Sequence, residues 1–433
     1  MIKLPKSLAV IGAQWGDEGK GKIVDYLAAN ADVVARYQGG NNAGHTVVIG
    51  DETFKMHHLP VGILYPGVAC LLGSGMVVNP AILLQEIEGI QKRGINTDAI
   101  RISERCHVIL PFHRAMDGAL EHLKGDKKIG TTGLGIGPAY ADKAYRKGLR
   151  MIEFIDPQRF RNYLNESVPV QNRLIKELGG NEAFHVEKLL EEYMPMAEKL
   201  APQVADISLL MEKYLKGDAK ILYEGSQGTL LDLDHGTYPY VTSCSTTAGG
   251  IASGLGIGPR SVDEIMGVIK AYTTRVGEGP FPTEDLGEDG ERMRQVGGEF
   301  GTTTGRPRRC GWFDGLVARY ASRVNALTGW GVTKLDVLSG FEKIKVSTGY
   351  EKDGKKIDNI PPLLDDLYGV KPIYHNFPGW EEDISGVRKY RDLPAEAKIY
   401  LSYLEDITGV RVVLISVGPD REQTIIPIGS YLR

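Results

Sequence analysis

The sequence predicts an α/β fold whose β-sheet has a substantial parallel component, and three observations carry this prediction. Short apolar runs alternate along the chain with amphipathic, helix-like segments, which is typical of βαβ units. The first apolar run leads through a loop of glycines and lysines into a helix-like segment. Further glycine-rich segments follow later runs, and in open α/β sheets such loops converge on one crevice at the carboxyl ends of the strands.

Eight apolar runs are predicted to form strands, namely residues 8–12, 33–37, 69–73, 101–103, 220–223, 264–271, 331–337 and 411–415. Amphipathic helices are predicted between them, for example at 81–92, 113–123 and 206–215. The charged stretch 157–216 is predicted to be a mostly helical insertion whose charges form a solvated face. Residues 341–356 alternate apolar and polar side chains around Asp353-Gly354, which predicts a surface hairpin.

The segment from Gly16 to Lys22 has the composition of a phosphate-binding loop between a strand and a helix. Its glycines allow backbone N–H groups to approach phosphate oxygens, the helix N-terminus contributes partial positive charge, and lysine contributes a full charge. The spacing fits the pattern G-x-x-x-x-G-K, but Ile23 replaces the Ser or Thr that would hold magnesium. Another group must therefore hold any metal, and Asp17 within the loop is the nearest carboxylate. A simple glycine-rich turn is the alternative.

A second motif, Thr333-Lys334-Leu335-Asp336, ends an apolar run near the other end of the chain. This T-K-x-D arrangement is typical of proteins that bind guanine nucleotides. The aspartate carboxylate can accept hydrogen bonds from guanine N1–H and from the 2-amino group together, and adenine has no such pair of donors. A solvated loop at a strand end is the alternative for this tetrapeptide alone. Together with the phosphate loop, the motif favours GTP over ATP.

Two residues in the glycine-rich loops have properties suited to catalysis. Asp17 places a carboxylate among phosphate-binding glycines, where phosphate would repel it unless it binds magnesium or a proton, so a general base or a metal ligand is predicted. His45 lies in the segment Asn42-Ala43-Gly44-His45-Thr46 and can donate a proton to a phosphate. A lone histidine is more often structural, and that alternative stays open for His45.

An arginine-rich segment, 302–309, suits a dicarboxylic or phosphorylated substrate. Pro307 keeps this stretch extended, and the guanidinium groups of its three arginines can each bind a carboxylate or phosphate through two hydrogen bonds. An exposed basic loop is the alternative. Gln227 and Thr242 lie in other polar loops, where their neutral side chains can contact a base edge or a phosphate.

Composition and charge argue against several classes of protein. The chain of 433 residues has 51 Lys and Arg against 55 Asp and Glu, so its net charge of −4 provides no basic field for nucleic acid, and small charged partners are predicted instead. Its four cysteines form no C-x-x-C pair, which argues against a zinc site or a disulfide framework and fits the reducing cytoplasm. Neither a signal peptide nor a membrane span is predicted, because each apolar stretch is too short. Length alone sets no domain count.

Six motifs in this order resemble those of the adenylosuccinate synthetase family. They are Gly-Asp-Glu-Gly-Lys-Gly-Lys at 16–22, Asn-Ala-Gly-His-Thr at 42–46, Thr-Thr-Gly-x-Gly-Ile-Gly-Pro at 131–138, Glu-Gly-Ser-Gln-Gly at 224–228, Thr-Thr-Thr-Gly-Arg-Pro-Arg-Arg at 302–309 and Thr-Lys-Leu-Asp at 333–336. The resemblance extends to Ser416-Val417-Gly418 near the C-terminus. It implies a single domain of this family over 1–433, with a large central, mostly parallel mixed β-sheet flanked by helices, a phosphate-loop-like nucleotide site, and helical and hairpin insertions.

The resemblance also implies the reaction, which is the first committed step of AMP synthesis from IMP in purine biosynthesis. IMP, L-aspartate and GTP would give adenylosuccinate, GDP and phosphate, with Mg²⁺ as the cofactor. A carbonyl oxygen at purine C6 is a poor leaving group, and phosphorylation of that oxygen to 6-phosphoryl-IMP overcomes this difficulty. The resemblance further implies a homodimer in which Arg146 reaches the active site of the neighbouring subunit.

By the same resemblance, the family's functional residues carry over onto matching positions of this sequence. The catalytic residues would be Asp17, which takes the N1 proton of IMP, His45, which donates to the transferred phosphoryl group, and Gln227; Asp17 and the backbone of Gly44 would hold magnesium. IMP would contact Asp17, Lys20, Asn42, Ala43, Gly44, His45, Thr132, Arg146, Gln227, Thr242 and Arg306. GTP would contact Gly16, Asp17, Glu18, Gly19, Lys20, Gly21, Lys22, Gly44, His45, Thr46, Arg308, Lys334, Leu335, Asp336, Ser416, Val417 and Gly418. L-Aspartate would contact Thr302, Thr303, Thr304, Gly305, Arg306, Pro307 and Arg308.

Two other functions stay open on the residues alone. A regulatory GTPase would need Ser or Thr in place of Ile23 and has little use for an arginine-rich substrate loop. A GTP-dependent enzyme of the same architecture that acts on another base or amino acid is the second alternative. Consumption of GTP that depends on L-aspartate distinguishes the ligase from both.

Overall fold

The computed structural model describes residues 2–49, 52–123, 125, 130–301 and 305–433, and at 45, 46, 48 and 49 it describes the backbone alone. Its strands are β1 (Ser7–Gly12), β2 (Val33–Arg36), β3 (His45–Ile49), β4 (Glu52–Met56), β5 (Ala69–Leu72), β6 (Val77–Val78), β7 (Ile100–Ser103), β8 (His107–Val108), β9 (Val204–Ala205), β10 (Ile221–Glu224), β11 (Glu264–Lys270), β12 (Thr273–Arg275), β13 (Arg309–Gly311), β14 (Phe313–Asp314), β15 (Gly329–Thr333), β16 (Lys343–Lys352), β17 (Lys355–Ile357), β18 (Lys371–Pro378), β19 (Val412–Ser416) and β20 (Thr424–Ile425). Its α-helices are α1 (Lys20–Ala28), α2 (Pro80–Gln91), α3 (Pro111–Leu123), α4 (Ile136–Ala144), α5 (Met151–Phe154), α6 (Pro157–Glu177), α7 (Val186–Leu200), α8 (Ile207–Lys216), α9 (Gly249–Leu255), α10 (Glu288–Gly297), α11 (Gly315–Asn325) and α12 (Ala395–Thr408). Among the described residues, no helix has the length and apolar character needed to cross a bilayer.

A ten-stranded sheet in the order β20-β19-β15-β11-β1-β10-β2-β5-β7-β9 forms the centre of the fold. Every neighbouring pair is parallel except β19 with β20, which is antiparallel. The prediction of a large, mostly parallel mixed sheet is therefore confirmed. The predicted strand 331–337 is too long, because Lys334 has a left-handed φ of 60° that ends β15, and Leu335–Leu338 forms a 3₁₀ turn.

The central strands are apolar along their whole length because both faces of the sheet are covered. All residues of β1, β2, β10 and β15 are buried. Leu8 and Val10 face the cluster that includes Ile23 of α1, whereas Ala9 and Ile11 face a second cluster on the opposite side. Strands buried on both faces are continuous apolar runs in the sequence, and this is why the sequence located them.

The charged stretch 157–216 contains α6, α7 and α8. Helix α6 packs on α3 and α7, and α7 packs on α2. Between α7 and α8, strand β9 joins the edge of the central sheet beside β7, and a strand of two residues is too short to leave a pattern in the sequence. The limits of this insertion, and the single domain over 1–433, stay predictions.

A smaller sheet combines β14, β16, β17 and β18. Strands β16 and β17 pair antiparallel around a turn at Asp353-Gly354, whose φ angles of 52° and 73° suit a tight hairpin. The predicted position on the surface is wrong for β16, because this strand also pairs with β18 and buries Ile344, Val346 and Tyr350. The alternating pattern indicates one buried face without indicating what covers it.

Candidate active site

A cleft of about 690 Å³ opens at the carboxyl ends of the central parallel strands. Because β1, β2, β10, β15 and β19 run in the same direction, the loops that follow them meet at this edge of the sheet. Residues predicted to be functional line the cleft, namely 16–22, 42–44, Thr132, Gln227, Thr242, Arg308, Lys334, Ser416 and Gly418. The structure thus brings together loops from both ends of the chain.

Several predicted site residues have an unusual backbone conformation. Among the described residues, six that are not glycine have a positive φ, and four of the six are Asp17 (59°), Arg146 (63°), Gln227 (55°) and Lys334 (60°). Side chains with a Cβ rarely adopt this conformation, and it costs on the order of 1–3 kcal/mol for each residue. Such conformations cluster at functional sites, where the surrounding structure holds them.

Glu18 organises the loop between β1 and α1 from inside. Its fully buried carboxylate accepts hydrogen bonds from Gln14 N at 2.9 Å and Gly16 N at 3.0 Å through Oε1. Its Oε2 pairs with Lys20 Nζ at 2.6 Å. The charge of Lys20 is therefore neutralised within the loop itself, whereas the N-terminus of α1 keeps its partial positive charge.

Lys22 joins the same loop to the C-terminal segment. Its Nζ donates to Ser416 Oγ at 2.7 Å, to Gly418 O at 2.7 Å and to Gln423 O at 2.9 Å. Burial lowers the pKa of Lys22 to about 8, against the opposing effect of Asp336. Lys22 thus holds the segment around Gly418, and its contact with GTP stays a prediction.

Asp17 and Arg308, both predicted site residues, form an ion pair in the cleft. Arg308 Nε lies 3.1 Å from Asp17 Oδ2, and Arg308 Nη1 donates to Glu299 Oε2 at 2.7 Å. The side chain of Asp17 is 40% exposed, whereas Glu299 is fully buried. Arg308 therefore bridges a carboxylate of the cleft and a carboxylate of the interior.

Gln227 lies beside Asn42 in the lining of the cleft. Gln227 Nε2 lies 3.5 Å from Asn42 Oδ1, and Gln227 Oε1 is buried with no hydrogen-bond partner among the described residues. The loops that carry Gln227 and Asp17 pack closely, since a Cβ on Gly12 would lie 2.3 Å from Gln227 O. Ala43, Gly44 and Thr132 line the same cleft, and the side chains of His45 and Thr46 lie outside the described residues.

The T-K-x-D segment contacts the loop between β1 and α1 through Thr333. Thr333 Oγ1 donates to Glu18 O at 2.6 Å, and Lys334 Nζ donates to Gly297 O at 2.7 Å. Asp336 Oδ1 is buried and has no hydrogen-bond partner within the part of the chain that the structure describes. Burial raises the pKa of Asp336, against the opposing charges of Lys334 and Lys22. Thr333 and Lys334 line the cleft, whereas Leu335 and Asp336 are not among its lining residues, and Asp336 is partly exposed.

The remaining predicted site residues do not line this cleft. Arg146, Gly305, Arg306 and Pro307 are exposed and lie outside its lining, the side chain of Val417 is buried in the core, and Thr302, Thr303 and Thr304 lie outside the described residues. The arginine-rich segment is also divided, because Arg309 Nε donates to Glu284 Oε1 at 2.8 Å and not to a group of the cleft. Of its three arginines, the structure brings Arg308 to the cleft.

Five charged residues that line the cleft were not predicted from the sequence, namely Asp25, Asp117, Arg275, Glu278 and Arg421. Arg275 lines the cleft and packs 5.1 Å from the ring centroid of Trp15, and burial lowers its pKa to about 10. Asp25 and Arg421 also line the cleft and pair through Oδ2 and Nη2 at 2.9 Å. The run Thr273-Thr274-Arg275, two residues before Gly277, is the one local signal that points to Arg275. The Asp25–Arg421 pair has no such signal because its members are far apart in the sequence.

The family model for adenylosuccinate synthetase matches residues 9–425. The chain belongs to the adenylosuccinate synthetase family. Relatives of that name include one from Carboxydothermus hydrogenoformans, 53% identical over 97% of this chain and 98% of its own length, and one from Geotalea daltonii, 52% identical over 97% and 98%. The structure of fully ligated adenylosuccinate synthetase from Plasmodium falciparum has a TM-score of 0.92 and 38% identity, and covers 98% of this chain and 100% of that one.

Membership of this family gives the reaction. The chain is a GTP-dependent carbon–nitrogen ligase of purine biosynthesis, which joins L-aspartate to IMP through 6-phosphoryl-IMP and releases adenylosuccinate, GDP and phosphate. The family uses Mg²⁺. The prediction of the reaction from the six sequence motifs is confirmed.

Proposed function

We propose that Asp17 is the base of the first chemical step. Its carboxylate takes the N1 proton of IMP, the electrons of that bond move onto O6, and O6 forms a bond to the γ-phosphorus of GTP while the bond to the β,γ-bridging oxygen breaks. The left-handed φ of 59° at Asp17 and its exposed carboxylate support this role. The observation that carries the proposal is that Asp17 lines the same cleft as Gln227 and Asn42 and as Lys334 and Ser416.

In the second step, the amine of L-aspartate attacks C6, the C6–O6 bond breaks, and phosphate leaves with the electron pair. The amine loses a proton in this step. Arg308 would contact the acidic substrate and GTP, because its guanidinium group is at the cleft and suits carboxylate and phosphate groups. The residues 302–307 would complete the aspartate site, and His45 would donate to the transferred phosphoryl group.

GTP would occupy the side of the cleft formed by Gly16 to Lys22, Lys334 and the segment from Ser416 to Gly418. Asp336 would accept hydrogen bonds from guanine, since its buried Oδ1 lacks a donor among the described residues. Asp336 follows Thr333 and Lys334, which line the cleft, and it is partly exposed, so a base beside them would lie close to its carboxylate. Gly44 and Thr46 would complete the phosphate contacts.

IMP would occupy the opposite side, with Asn42, Thr132, Gln227 and Thr242. We propose that Arg146 completes this site from the neighbouring subunit of a homodimer, with Arg306 from the same chain. Exposed apolar side chains flank Arg146, including Tyr145 at 74% and Ile152 at 41%, and apolar surface of this kind favours a subunit contact.

The residues of the cleft fit a magnesium site. Asp17 offers one carboxylate and Gly44 a backbone carbonyl at the same cleft, and the described residues contain no cluster of three His, Cys, Asp or Glu that would suit another metal. Mg²⁺ favours oxygen ligands and is commonly held by one or two carboxylates together with substrate phosphates. When bound, Mg²⁺ would neutralise charge on the phosphates. We also propose a cytoplasmic location, which the four free thiols support.

The replacement Asp17→Asn tests the base. We expect loss of adenylosuccinate formation, followed as the aspartate-dependent change in purine absorbance. We also expect loss of positional isotope exchange in ¹⁸O-labelled GTP incubated with IMP and Mg²⁺, because this exchange reports the first step alone. The matched control is Asp234→Asn, an exposed carboxylate outside the cleft lining, which should keep both activities. Exchange at a near wild-type rate in Asp17→Asn would contradict the proposed base.

A further inference from the structure

Glu299 is a fully buried carboxylate that accepts hydrogen bonds from three side chains. Its Oε1 accepts from Lys270 Nζ at 2.7 Å and from Tyr272 Oη at 2.5 Å, and its Oε2 accepts from Arg308 Nη1 at 2.7 Å. Burial alone would raise the pKa of Glu299, but Lys270, Tyr272 and Arg308 outweigh this effect and lower it to about 2. Both oxygens are engaged, so rotation of the carboxylate would break at least one of these bonds.

The backbone holds Glu299 and Arg308 side by side. Arg308 N donates to Glu299 O at 2.9 Å, and Phe300 and Pro307 form an antiparallel bridge next to them. These contacts close the base of the segment that is expected to hold L-aspartate. These backbone contacts therefore fix the relative positions of the two residues whose side chains form the ion pair.

Lys270 connects this pair to the central sheet. It is the last residue of β11, its side chain is 1% exposed, and its Nζ also donates to Thr274 Oγ1 at 2.7 Å. Charges of alternating sign thus run from the sheet to the cleft, in the order Lys270, Glu299, Arg308 and Asp17. The guanidinium group of Arg308 is fixed by carboxylates on two different elements. Without Glu299, Asp17 would be its one remaining ion-pair partner among the described residues.

We propose that Glu299 is a positioning residue of the ligation reaction. It holds the guanidinium group of Arg308 in the orientation in which that group meets GTP and L-aspartate, and Lys270 and Tyr272 hold Glu299. This inference rests on the proposed contacts of Arg308. A guanidinium group recognises carboxylate and phosphate through a planar fork, so its orientation matters as much as its charge. A misplacement of about 1 Å lowers the rate of a positioned reaction by about 10²-fold.

The replacement Glu299→Gln tests this role, because it keeps the size of the side chain and removes its charge. We expect kcat/KM for L-aspartate and for GTP to fall by about 10²-fold, while KM for IMP stays within about threefold of wild type. A merely structural role would lower the unfolding temperature and kcat and leave the KM values of all three substrates unchanged. The matched control is Glu284→Gln, which removes the carboxylate partner of the adjacent Arg309 and should keep wild-type kinetics.

A double-mutant cycle separates this inference from the proposed function. If Glu299 acts through Arg308, adding Glu299→Gln to Arg308→Ala should change kcat/KM for L-aspartate by less than about twofold. Near wild-type kcat/KM in Arg308→Ala would overturn the proposed contacts of Arg308. A severe loss in Arg308→Ala that Glu299→Gln multiplies further would leave those contacts standing and overturn the positioning role.

Tyr272→Phe provides a milder variant, should Glu299→Gln fail to fold. It removes only the hydrogen bond from Tyr272 Oη to Glu299 Oε1 at 2.5 Å. We expect KM for L-aspartate to rise by about threefold to tenfold, since a hydrogen bond to a charged group is lost. An unchanged KM for L-aspartate in a folded Tyr272→Phe enzyme would count against the positioning role.

Discussion

The replacement Asp336→Asn tests whether the carboxylate of the T-K-x-D segment selects guanine. Asp336 Oδ1 is buried without a hydrogen-bond donor among the described residues, and burial raises the pKa of this carboxyl group. Guanine N1–H and its 2-amino group would supply two donors. Each hydrogen bond to a charged acceptor contributes ~1.5–3 kcal/mol, so the pair contributes about 3–6 kcal/mol, equivalent to roughly 10²–10⁴-fold in affinity.

Asp336→Asn should therefore lower kcat/KM for GTP by roughly 10²-fold or more. The amide oxygen of Asn can still accept from N1–H, but its NH₂ group then faces the 2-amino group of guanine, which is also a donor. In xanthosine triphosphate an oxygen replaces that amino group and can accept from the amide. The variant should prefer xanthosine triphosphate to GTP, whereas the wild-type enzyme should prefer GTP.

The assay is aspartate-dependent ligation, with kcat/KM measured for both nucleotides at saturating IMP and L-aspartate. KM for IMP should stay unchanged, because the proposed IMP site, with Asn42 and Gln227, does not include Asp336. The matched control is Asp383→Asn, an exposed carboxylate whose charge acts on Asp336, and it should keep the preference for GTP. Equal losses for the two nucleotides in Asp336→Asn, or no loss for GTP, would refute the role of the carboxylate in reading the base.

Two further predictions concern the dimer and the stability in acid. Asp17→Asn and Arg146→Ala should each be inactive, yet their equimolar mixture should recover about a quarter of wild-type activity. Half of the dimers become mixed, and one of the two sites in each mixed dimer is complete. No recovery after subunit exchange would contradict the role of Arg146 in the neighbouring subunit's site. Burial, with Lys143 and Arg150 nearby, lowers the pKa of His107 to about 4. The unfolded chain, with a histidine pKa of about 6.5, then binds the proton first, and the free energy of unfolding should fall by at most about 3 kcal/mol between pH 6.5 and 4. In urea denaturation, the free energy of unfolding of His107→Gln should lack this part of the pH dependence. If it depends on pH as steeply as in the wild type, His107 is not the group responsible.

The sequence predicted those parts of the site whose residues lie close together in the chain at a characteristic spacing. The glycine- and lysine-rich segment needs only residues 16–22 in order, and the structure has this segment at the junction of β1 and α1, with residues 20–22 in the first turn of the helix. The hydrogen-bond partners of Lys22 show what local spacing cannot predict. They lie on Ser416, Gly418 and Gln423, about 400 residues away in the chain, and become neighbours only because β1 and β19 belong to one parallel sheet.

Buried charges are the second class of feature that the sequence did not reveal. A single glutamate in a sequence is usually a solvated side chain, and Glu299 has no pattern that distinguishes it. Its burial is sustained by Lys270 and Arg308, which come from other elements. Similarly, the arginine-rich segment is one cluster in the sequence, whereas the structure directs Arg308 to the cleft and Arg309 to Glu284. Adjacent residues of a strand or an extended loop point in opposite directions, so proximity in the chain does not imply a shared ligand.

The charges around the cleft bear on how one loop could both bind phosphate and carry the proposed base, Asp17. A lysine of full charge beside Asp17 would compete with the ligands for that carboxylate, but Glu18 neutralises Lys20 at 2.6 Å. The attraction for phosphate then comes from backbone N–H groups and the N-terminus of α1, which are fixed and cannot fold back onto Asp17. Arg308 supplies the cation paired with Asp17, and Glu299 competes with Asp17 for the same guanidinium group. Because Arg308 is shared between two carboxylates, its attraction is divided between them, and this suits the proposed contact of Asp17 with IMP.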